Sequence, residues 1–228
     1  MQYKVIIPAA GMGKRMGYGK NKLFIPIRHT PIIVHTLAIF EKDEWCKEII
    51  LVINEKEREE IESLIQSYEI TKVSKIINGG SERQQSVYAG LKTVNGDEEI
   101  VLIHDGARPM VNIAHIRKLV QEASLKGAAV LGVPVKDTIK KVKDGIVMET
   151  IDRATLWSIQ TPQAFRASVI KTAHESAEKD RFLGTDDASL VERIGQNVII
   201  IEGDYENIKI TTKEDLFFAE SLLSKRKT

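Results

Sequence analysis

The sequence predicts an α/β fold, in which helices flank both faces of a mostly parallel β-sheet and one β-hairpin protrudes from it. Short apolar runs alternate along the chain with amphipathic segments of helical spacing, and this alternation is typical of parallel sheets with crossover helices. The run 100–104 shows no polar alternation, as expected for a strand buried on both faces. Asp144-Gly145, flanked by alternating residues, interrupts the rhythm and predicts the hairpin.

Capping signals mark the predicted helices of the first half of the chain. Thr30-Pro31 predicts an N-cap followed by proline at the first helical position. Ser81 with Gln84 is typical of a capping box. Strands are predicted at 3–8, 48–53, 72–77 and 100–104, and helices from Pro31 to about Phe40, after Asn54, and from Ser81 to about Lys92.

The second half continues the pattern around the hairpin. Asn112 caps a helix that ends near Lys126-Gly127, where glycine suits the position after the last helical turn. Strands are predicted at 128–135, 137–143, 146–152, 198–202 and 207–210, and helices at 166–179, from Gly184, and from Thr211 or Thr212. Without an internal repeat or a long linker, the chain is predicted to be one domain, 1–228, with an arm at about 137–153.

Composition excludes several classes of protein. The net charge of +1 over 228 residues predicts no nucleic-acid binding by bulk charge. Cys46 is the sole cysteine, which excludes an intrachain disulfide and a zinc site built from cysteines. No apolar run reaches the length of a membrane span, and the N-terminus lacks the apolar core of a signal peptide. A cytoplasmic protein with no membrane partner is expected.

Glycines and cations follow the first strand. The segment from Gly11 to Lys22 contains Gly13, Lys14, Arg15 and Lys20, and successive N–H groups of such a loop can surround an anion. Position 16 is methionine, which excludes the dinucleotide motif, and the residue after Gly19-Lys20 is asparagine, which excludes a Walker A loop. The loop therefore predicts a polyphosphate site, with a strand–turn carrying solvated cations as the alternative.

A second charged segment ends the buried strand at 100–104. Asp105 is placed where ligands bind in open α/β sheets, and its carboxylate suits Mg²⁺. His104 is expected to be a structural hydrogen-bonding residue, because no second histidine lies at metal-ligand spacing. Gly79-Gly80, before a predicted helix, suits a polar ligand edge or simply a well-capped helix.

Together, several separated stretches resemble the 2-C-methyl-D-erythritol 4-phosphate cytidylyltransferases over essentially the whole chain. That family implies a Rossmann-like sheet of the nucleotide-diphospho-sugar transferase type. The matching residues are AAGMGKRM at 9–16, Lys22, GGSER at 79–83, HDGARP at 104–109, DT at 137–138, DR at 152–153, TPQ at 161–163, TDDAS at 185–189 and NIKIT at 207–211.

The resemblance implies a reaction and a set of site residues. The family transfers CMP from CTP to 2-C-methyl-D-erythritol 4-phosphate, depends on Mg²⁺, and is typically a homodimer joined through a β-arm. Catalytic roles are implied for Arg15, Lys22, Lys209 and Arg153, and metal placement for Asp105. The implied nucleotide site comprises Ala9, Ala10, Gly11, Gly13, Gly80, Ser81 and Ser86, and the implied polyol-phosphate site comprises Arg108, Thr138, Arg153, Thr161 and Thr185.

Each implied role has alternatives. Thr138 also fits a simple β-former, Thr185 an N-cap, and Arg153 a solvated arm residue. A ribitol 5-phosphate cytidylyltransferase shares the loop and the TPQ and NIK stretches, and a non-catalytic nucleotide-sensing module is a further alternative. A nicotinamide oxidoreductase is disfavoured because the dinucleotide motif is missing.

Overall fold

The computed structural model describes residues 1–11 and 21–225. Its strands are β1 (Tyr3–Pro8), β2 (Pro26–Ile27), β3 (Thr30–Pro31), β4 (Cys46–Ile53), β5 (Val73–Asn78), β6 (Ile100–Ile103), β7 (Ala128–Pro134), β8 (Ile139–Lys143), β9 (Ile146–Ile151), β10 (Trp157–Arg166) and β11 (Ile199–Glu202). Its α-helices are α1 (Ile32–Lys42), α2 (Arg58–Ser67), α3 (Arg83–Leu91), α4 (Ile113–Lys126), α5 (Ala167–Lys179), α6 (Asp187–Arg193) and α7 (Lys213–Lys225).

In the described part of the chain, seven strands form the central sheet in the order β11-β7-β10-β6-β1-β4-β5. Parallel pairing joins β5, β4, β1 and β6 in sequence, and β11 with β7. Among these seven strands, β10 alone runs antiparallel, between β6 and β7. The predicted α/β class, with a mostly parallel sheet between helices, is confirmed.

Apolar side chains cover both faces of the sheet, because successive residues of a strand point to opposite sides. In β1, Val5 and Ile7 join a core formed with α1, α4 and α7. Ile6, between them, joins the opposite core formed with α3, α5 and α6. All three side chains are fully buried, which explains why strand 1 appears in the sequence as a continuous apolar run.

The strand order reverses at β1. The chain continues from β1 to β4 and β5 on one side, and then crosses back to place β6 on the other side. Crevices at such reversal points, outside the carboxyl ends of the strands, are where open α/β sheets bind ligands. The segments that follow β1 and β6 are therefore brought together at one end of the sheet.

The predicted arm is present as a two-stranded sheet of β8 and β9. Asp144 and Gly145 form its turn with φ of 51° and 78°, as the two positive φ values of a type I′ turn require. Every residue of β8 is exposed, and Val142 and Val147 pair across the hairpin with both side chains more than half exposed.

Three local expectations were wrong. Thr30 does not cap α1, because Thr30 and Pro31 pair with β2, and the helix begins at Ile32. The capping box at the N-terminus of α3 lies one residue later than predicted and uses Glu82 and Gln85. Oε1 of Gln85 accepts from the N–H groups of Ser81 and Glu82. Segment 207–210 is not a strand. It is instead held by loop contacts such as Ile210 N–H to Ala107 O.

Each described helix falls short of the length and apolar character that crossing a membrane requires.

Candidate active site

A pocket of about 200 Å³ lies at the carboxyl ends of β1 and β6, beside the N-terminus of α3. Five separated segments of the chain line it, and they contain nine of the residues that the sequence singled out. These are Ala9, Ala10, Gly11, Lys22, Gly80, Ser81, Ser86, Asp105 and Lys209. Pro8, Leu23, Glu82, Arg83, Gly106 and Ala107 complete the lining.

Tight backbone packing forms one wall of the pocket. A Cβ atom on Gly79 would lie 2.6 Å from Cβ of Ala10 and 2.8 Å from Oγ of Ser86, which leaves no room for a side chain. Ser86 Oγ accepts a hydrogen bond from the N–H of Gly80 at 3.1 Å and donates to the carbonyl of Glu82 at 3.1 Å. The Ser86 hydroxyl therefore holds the glycine turn against the first turn of α3.

Asp105 is the electrostatic centre of the site. Its Oδ1 lies 3.1 Å from Nε of Arg83, and its Oδ2 lies 2.7 Å from Nζ of Lys209 and 3.7 Å from Nε of Arg108. Burial alone would raise the pKa of this carboxyl, but the Arg83 and Lys209 charges lower it well below the ordinary range. The carboxylate is therefore ionised at neutral pH and surrounded by three cations.

The two predicted catalytic lysines in the described chain meet at one segment, which contains Lys209 and binds the side chain of Lys22. Nζ of Lys22 donates to the carbonyl of Ile210 at 2.6 Å, and Lys209 is the residue before it. The side chain of Asn21 holds the backbone on either side of Lys22 in place. Its amide donates to the carbonyl of Ala9 at 3.0 Å and to Glu57 at 2.9 Å, and its oxygen accepts from the N–H of Leu23 at 3.1 Å.

Arg108 and Thr161 lie behind the pocket rather than on its surface. Nη1 of Arg108 donates to the carbonyl of Asn207 at 2.7 Å. Oγ1 of Thr161 accepts from the N–H of Asp105 at 3.0 Å, and the threonine is buried. Both side chains thus support Asp105 in this structure, and their roles in binding a polyol phosphate stay predictions.

His104 has the structural role that the sequence suggested. Its Nε2 lies 3.0 Å from the carbonyl of Arg108, which can only accept, so we assign the ring proton to Nε2. Nδ1 then accepts from the hydroxyl of Thr161 at 3.3 Å. Burial lowers the pKa of His104 to about 4, so the ring is neutral at pH 7.

A second cavity, of about 210 Å³, adjoins the pocket and contains Thr185. Arg83 and Glu82 line both cavities. Nη1 of Arg83 lies 2.6 Å from Oδ2 of Asp187, whose other oxygen lies 3.2 Å from Nε2 of His174. Burial would raise the pKa of the Asp187 carboxyl, but Arg83 and His174 lower it.

The remaining predicted residues are not brought to the pocket of this chain. Thr138 precedes β8 and is exposed. Arg153 begins a short 3₁₀ helix at the base of the arm, where its Nη1 donates to the carbonyl of Lys136 at 2.7 Å. Gly13 and Arg15 lie outside the described residues.

The sequence named no role for three residues that the structure places at the site. Arg83 belongs to the quoted GGSER stretch, and Asp187 to the TDDAS stretch. Asn207 is buried, and its amide donates to the carbonyl of Thr161 at 2.9 Å. Charged or amide residues inside stretches that match a family were the available signal, but the Arg83–Asp187 and Asn207–Thr161 contacts join residues 104 and 46 positions apart.

The donor set at Asp105 suits a metal ion that binds together with a phosphate ligand. Among the described residues, no group of three His, Cys, Asp or Glu side chains is placed to hold a metal ion. In nucleotide sites Mg²⁺ keeps several waters and binds one or two carboxylates plus the substrate phosphates. A single ionised carboxylate at the pocket wall fits that kind of binding.

Comparisons with known proteins agree with one another. Residues 3–225 match a family model described as 2-C-methyl-D-erythritol 4-phosphate cytidylyltransferase. Proteins of that name from Bacillus velezensis and Geobacillus kaustophilus are 57% and 56% identical to this chain. The alignments cover 98% and 99% of the chain and 96% and 99% of the relatives.

Solved structures give the same result at lower identity. The 4-diphosphocytidyl-2C-methyl-D-erythritol synthase of Anaerococcus prevotii superposes with a TM-score of 0.85 at 32% identity, covering 98% of this chain and 96% of that one. The 2-C-methyl-D-erythritol 4-phosphate cytidylyltransferase of Francisella tularensis superposes with a TM-score of 0.81 at 31% identity, covering 97% and 99%.

Proposed function

Because this chain belongs to the 2-C-methyl-D-erythritol 4-phosphate cytidylyltransferase family, we propose that the pocket around Asp105 is where it performs that family's reaction. The enzyme transfers CMP from CTP to 2-C-methyl-D-erythritol 4-phosphate, giving 4-diphosphocytidyl-2-C-methyl-D-erythritol and pyrophosphate in the non-mevalonate isoprenoid pathway. The observation that carries the assignment of the pocket is its lining, in which nine predicted residues from five separated segments converge.

The chemistry requires two anions to meet. An oxygen of the acceptor phosphate attacks the α-phosphorus of CTP, and the bond from that phosphorus to the bridging oxygen of the β-phosphate breaks, so that pyrophosphate leaves with the bonding electrons. Positioning and charge neutralisation carry most of the catalysis in such transfers. In our proposal Lys22 and Lys209 supply these charges together with Arg15, which lies outside the described residues.

The nucleotide is assigned to the glycine-lined wall. Gly79 and Gly80 bring backbone close to the ligand, since Ser86 fixes the turn and no side chain fits at Gly79. The proposal assigns the ribose and base to this wall, with Ala9, Ala10 and Ser81, and the triphosphate to Gly11 and Gly13. In our proposal a close fit around the base at this wall selects a pyrimidine over a purine.

Mg²⁺ dependence is part of the proposal. Asp105 would hold the ion, directly or through water, and the ion would neutralise phosphate oxygens of the bound nucleotide. The polyol phosphate is assigned to the side of Asp105 occupied by Arg108, Thr161 and Thr185.

We also propose a homodimer joined through the arm. The hairpin exposes Ile139, Val142, Ile146, Val147 and Met148, whereas an isolated hairpin is only marginally stable in water. Docking against a second subunit would cover these side chains. Arg153 and Thr138, at the base of the arm, would then reach the partner's acceptor site. The sole cysteine and the bacterial metabolic relatives support a cytoplasmic location.

The test is pyrophosphate release with Mg²⁺ and CTP, comparing 2-C-methyl-D-erythritol 4-phosphate with ribitol 5-phosphate. Turnover with the first acceptor alone is expected, and replacement of CTP by ATP should abolish it. Turnover with ribitol 5-phosphate alone would show that the protein is a ribitol 5-phosphate cytidylyltransferase, which acts in a different pathway. Nucleotide binding without turnover on either acceptor would indicate a sensing module.

A further inference from the structure

We propose that Arg83 is a substrate-binding residue that contacts the acceptor phosphate, and that Asp187 and His174 position it. This inference rests on the proposed function, since it takes the Thr185 cavity to be the acceptor side of the site.

Arg83 lies between the nucleotide pocket and the Thr185 cavity. Its guanidinium lines both the nucleotide pocket and the Thr185 cavity. Of the described residues on the wall that the two cavities share, Arg83 is the cation and Glu82 is the other member. The reaction joins an acceptor phosphate to the α-phosphorus of a nucleotide, so a cation on the shared wall stands where the two anions approach each other.

Two carboxylates orient the guanidinium of Arg83. Nε is bound to Asp105 at 3.1 Å and Nη1 to Asp187 at 2.6 Å, which fixes the plane of the guanidinium. Among the described residues none accepts a hydrogen bond from Nη2 of Arg83, and about a third of the side chain is exposed. The fork is thus oriented by two carboxylates and retains donors for a phosphate.

The buried Asp187, which binds Arg83, is itself held by His174. Asp187 is 1% exposed and is hydrogen bonded by His174, whose ring stacks on Tyr88 of α3 at 5.5 Å. This arrangement ties α5 and α6 to the helix that carries Arg83. Three cations, Arg83, Arg108 and Lys209, face the two carboxylates Asp105 and Asp187.

The test separates nucleotide binding from acceptor binding. In Arg83→Met we expect the KM for 2-C-methyl-D-erythritol 4-phosphate to rise about 10- to 100-fold and kcat to fall, because a charge-assisted hydrogen bond is lost. The Kd for CTP, measured by calorimetry without acceptor, should change less than about threefold. Arg83→Lys keeps the charge but loses the fork, so its acceptor KM should fall between those of the wild type and Arg83→Met.

Two further variants separate binding from structure. Arg83→Met leaves Asp187 buried without its cation, which lowers Tm, and the double variant Arg83→Met/Asp187→Asn should recover Tm without recovering turnover. Asp187→Asn alone should raise the acceptor KM while Arg83 is intact. Arg193→Met is the matched control, because it removes an ion pair of 2.6 Å with Asp180 on the exposed side of α6, and its kinetics should equal those of the wild type.

Three results would overturn the proposal: an unchanged acceptor KM and kcat in Arg83→Met, recovery of turnover together with Tm in the double variant, or a change confined to the Kd for CTP. Failure of the proposed function looks different, because wild-type protein would then use ribitol 5-phosphate or no acceptor. If ribitol 5-phosphate is the acceptor, the same comparison of variants is made with it.

Discussion

The ammonium group of Lys22 donates a hydrogen bond of 2.6 Å to the carbonyl oxygen of Ile210, across 188 positions of sequence. The neighbouring residue Lys209 lies 2.7 Å from Asp105. The segment Lys209-Ile210 therefore contains one predicted catalytic lysine and accepts a hydrogen bond from the other through its backbone. Cations at the pocket are held in place by the protein before any phosphate binds.

Lys22→Ala should lower kcat about 10²- to 10³-fold, by analogy with the loss of one charge-stabilising donor in other active sites. The fold should persist, because Lys22 lies at the pocket edge and not in the core. Steady-state pyrophosphate release and thermal unfolding check the two parts. Lys118→Ala, at an exposed position of α4, is the control. Wild-type turnover in Lys22→Ala would remove the assigned role.

Asp43→Ala should lower the free energy of unfolding by about 1–3 kcal/mol, because it leaves the buried hydroxyl of Tyr3 without its acceptor and removes the ion-pair partner of the partly exposed Arg117. The Asp43 carboxylate is fully buried and accepts from Tyr3 Oη at 2.8 Å and from Arg117 Nη2 at 2.9 Å. Asp180→Ala removes an exposed ion pair with Arg193 and should cost less than about 1 kcal/mol. Urea unfolding of both variants tests this, and equal effects would contradict it.

Replacing Val142 and Val147 together by serine should dissociate the proposed dimer and lower turnover, because these side chains pair across the exposed arm. Sedimentation velocity at micromolar concentration measures the change. Phe217→Ser is the control, since it removes a side chain that is 74% exposed on α7, outside the arm. A wild-type protein that is monomeric and fully active would refute both the dimer and the shared site.

Cys46 should resist modification in the folded protein. The residue is 3% exposed, and burial raises the pKa of its thiol to about 12. At pH 8 the thiolate fraction is then about 10³-fold lower than for an ordinary cysteine. Ellman's reagent should react slowly without denaturant and should titrate one thiol per chain in urea. A rapid reaction of the native protein would contradict the buried position.

Features that depend on neighbouring residues were predicted well from the sequence. The apolar run 100–104 and the Asp144-Gly145 turn were predicted because their signals lie within a few adjacent residues, and the strand ends one residue earlier than predicted, at Ile103. The partners of Arg83 were not predictable in this way, since Asp187 lies 104 positions away. Segment 207–210 was wrongly expected to be a strand, because the N–H groups of Asn207 and Ile208 bond within the loop and that of Ile210 donates to the distant Ala107, so no strand ladder forms.

The antiparallel strand β10 lies between β6 and β7, although it follows both in the chain. During synthesis, β6 and β7 therefore leave the ribosome before the strand that joins them. Until residues 157–166 emerge, each presents an open edge of unpaired N–H and C=O groups, which is the kind of edge that recruits other chains. A fragment ending at Pro134 would keep these edges unpaired permanently, so truncation between β7 and β10 should favour self-association through strands that lie inside the complete sheet.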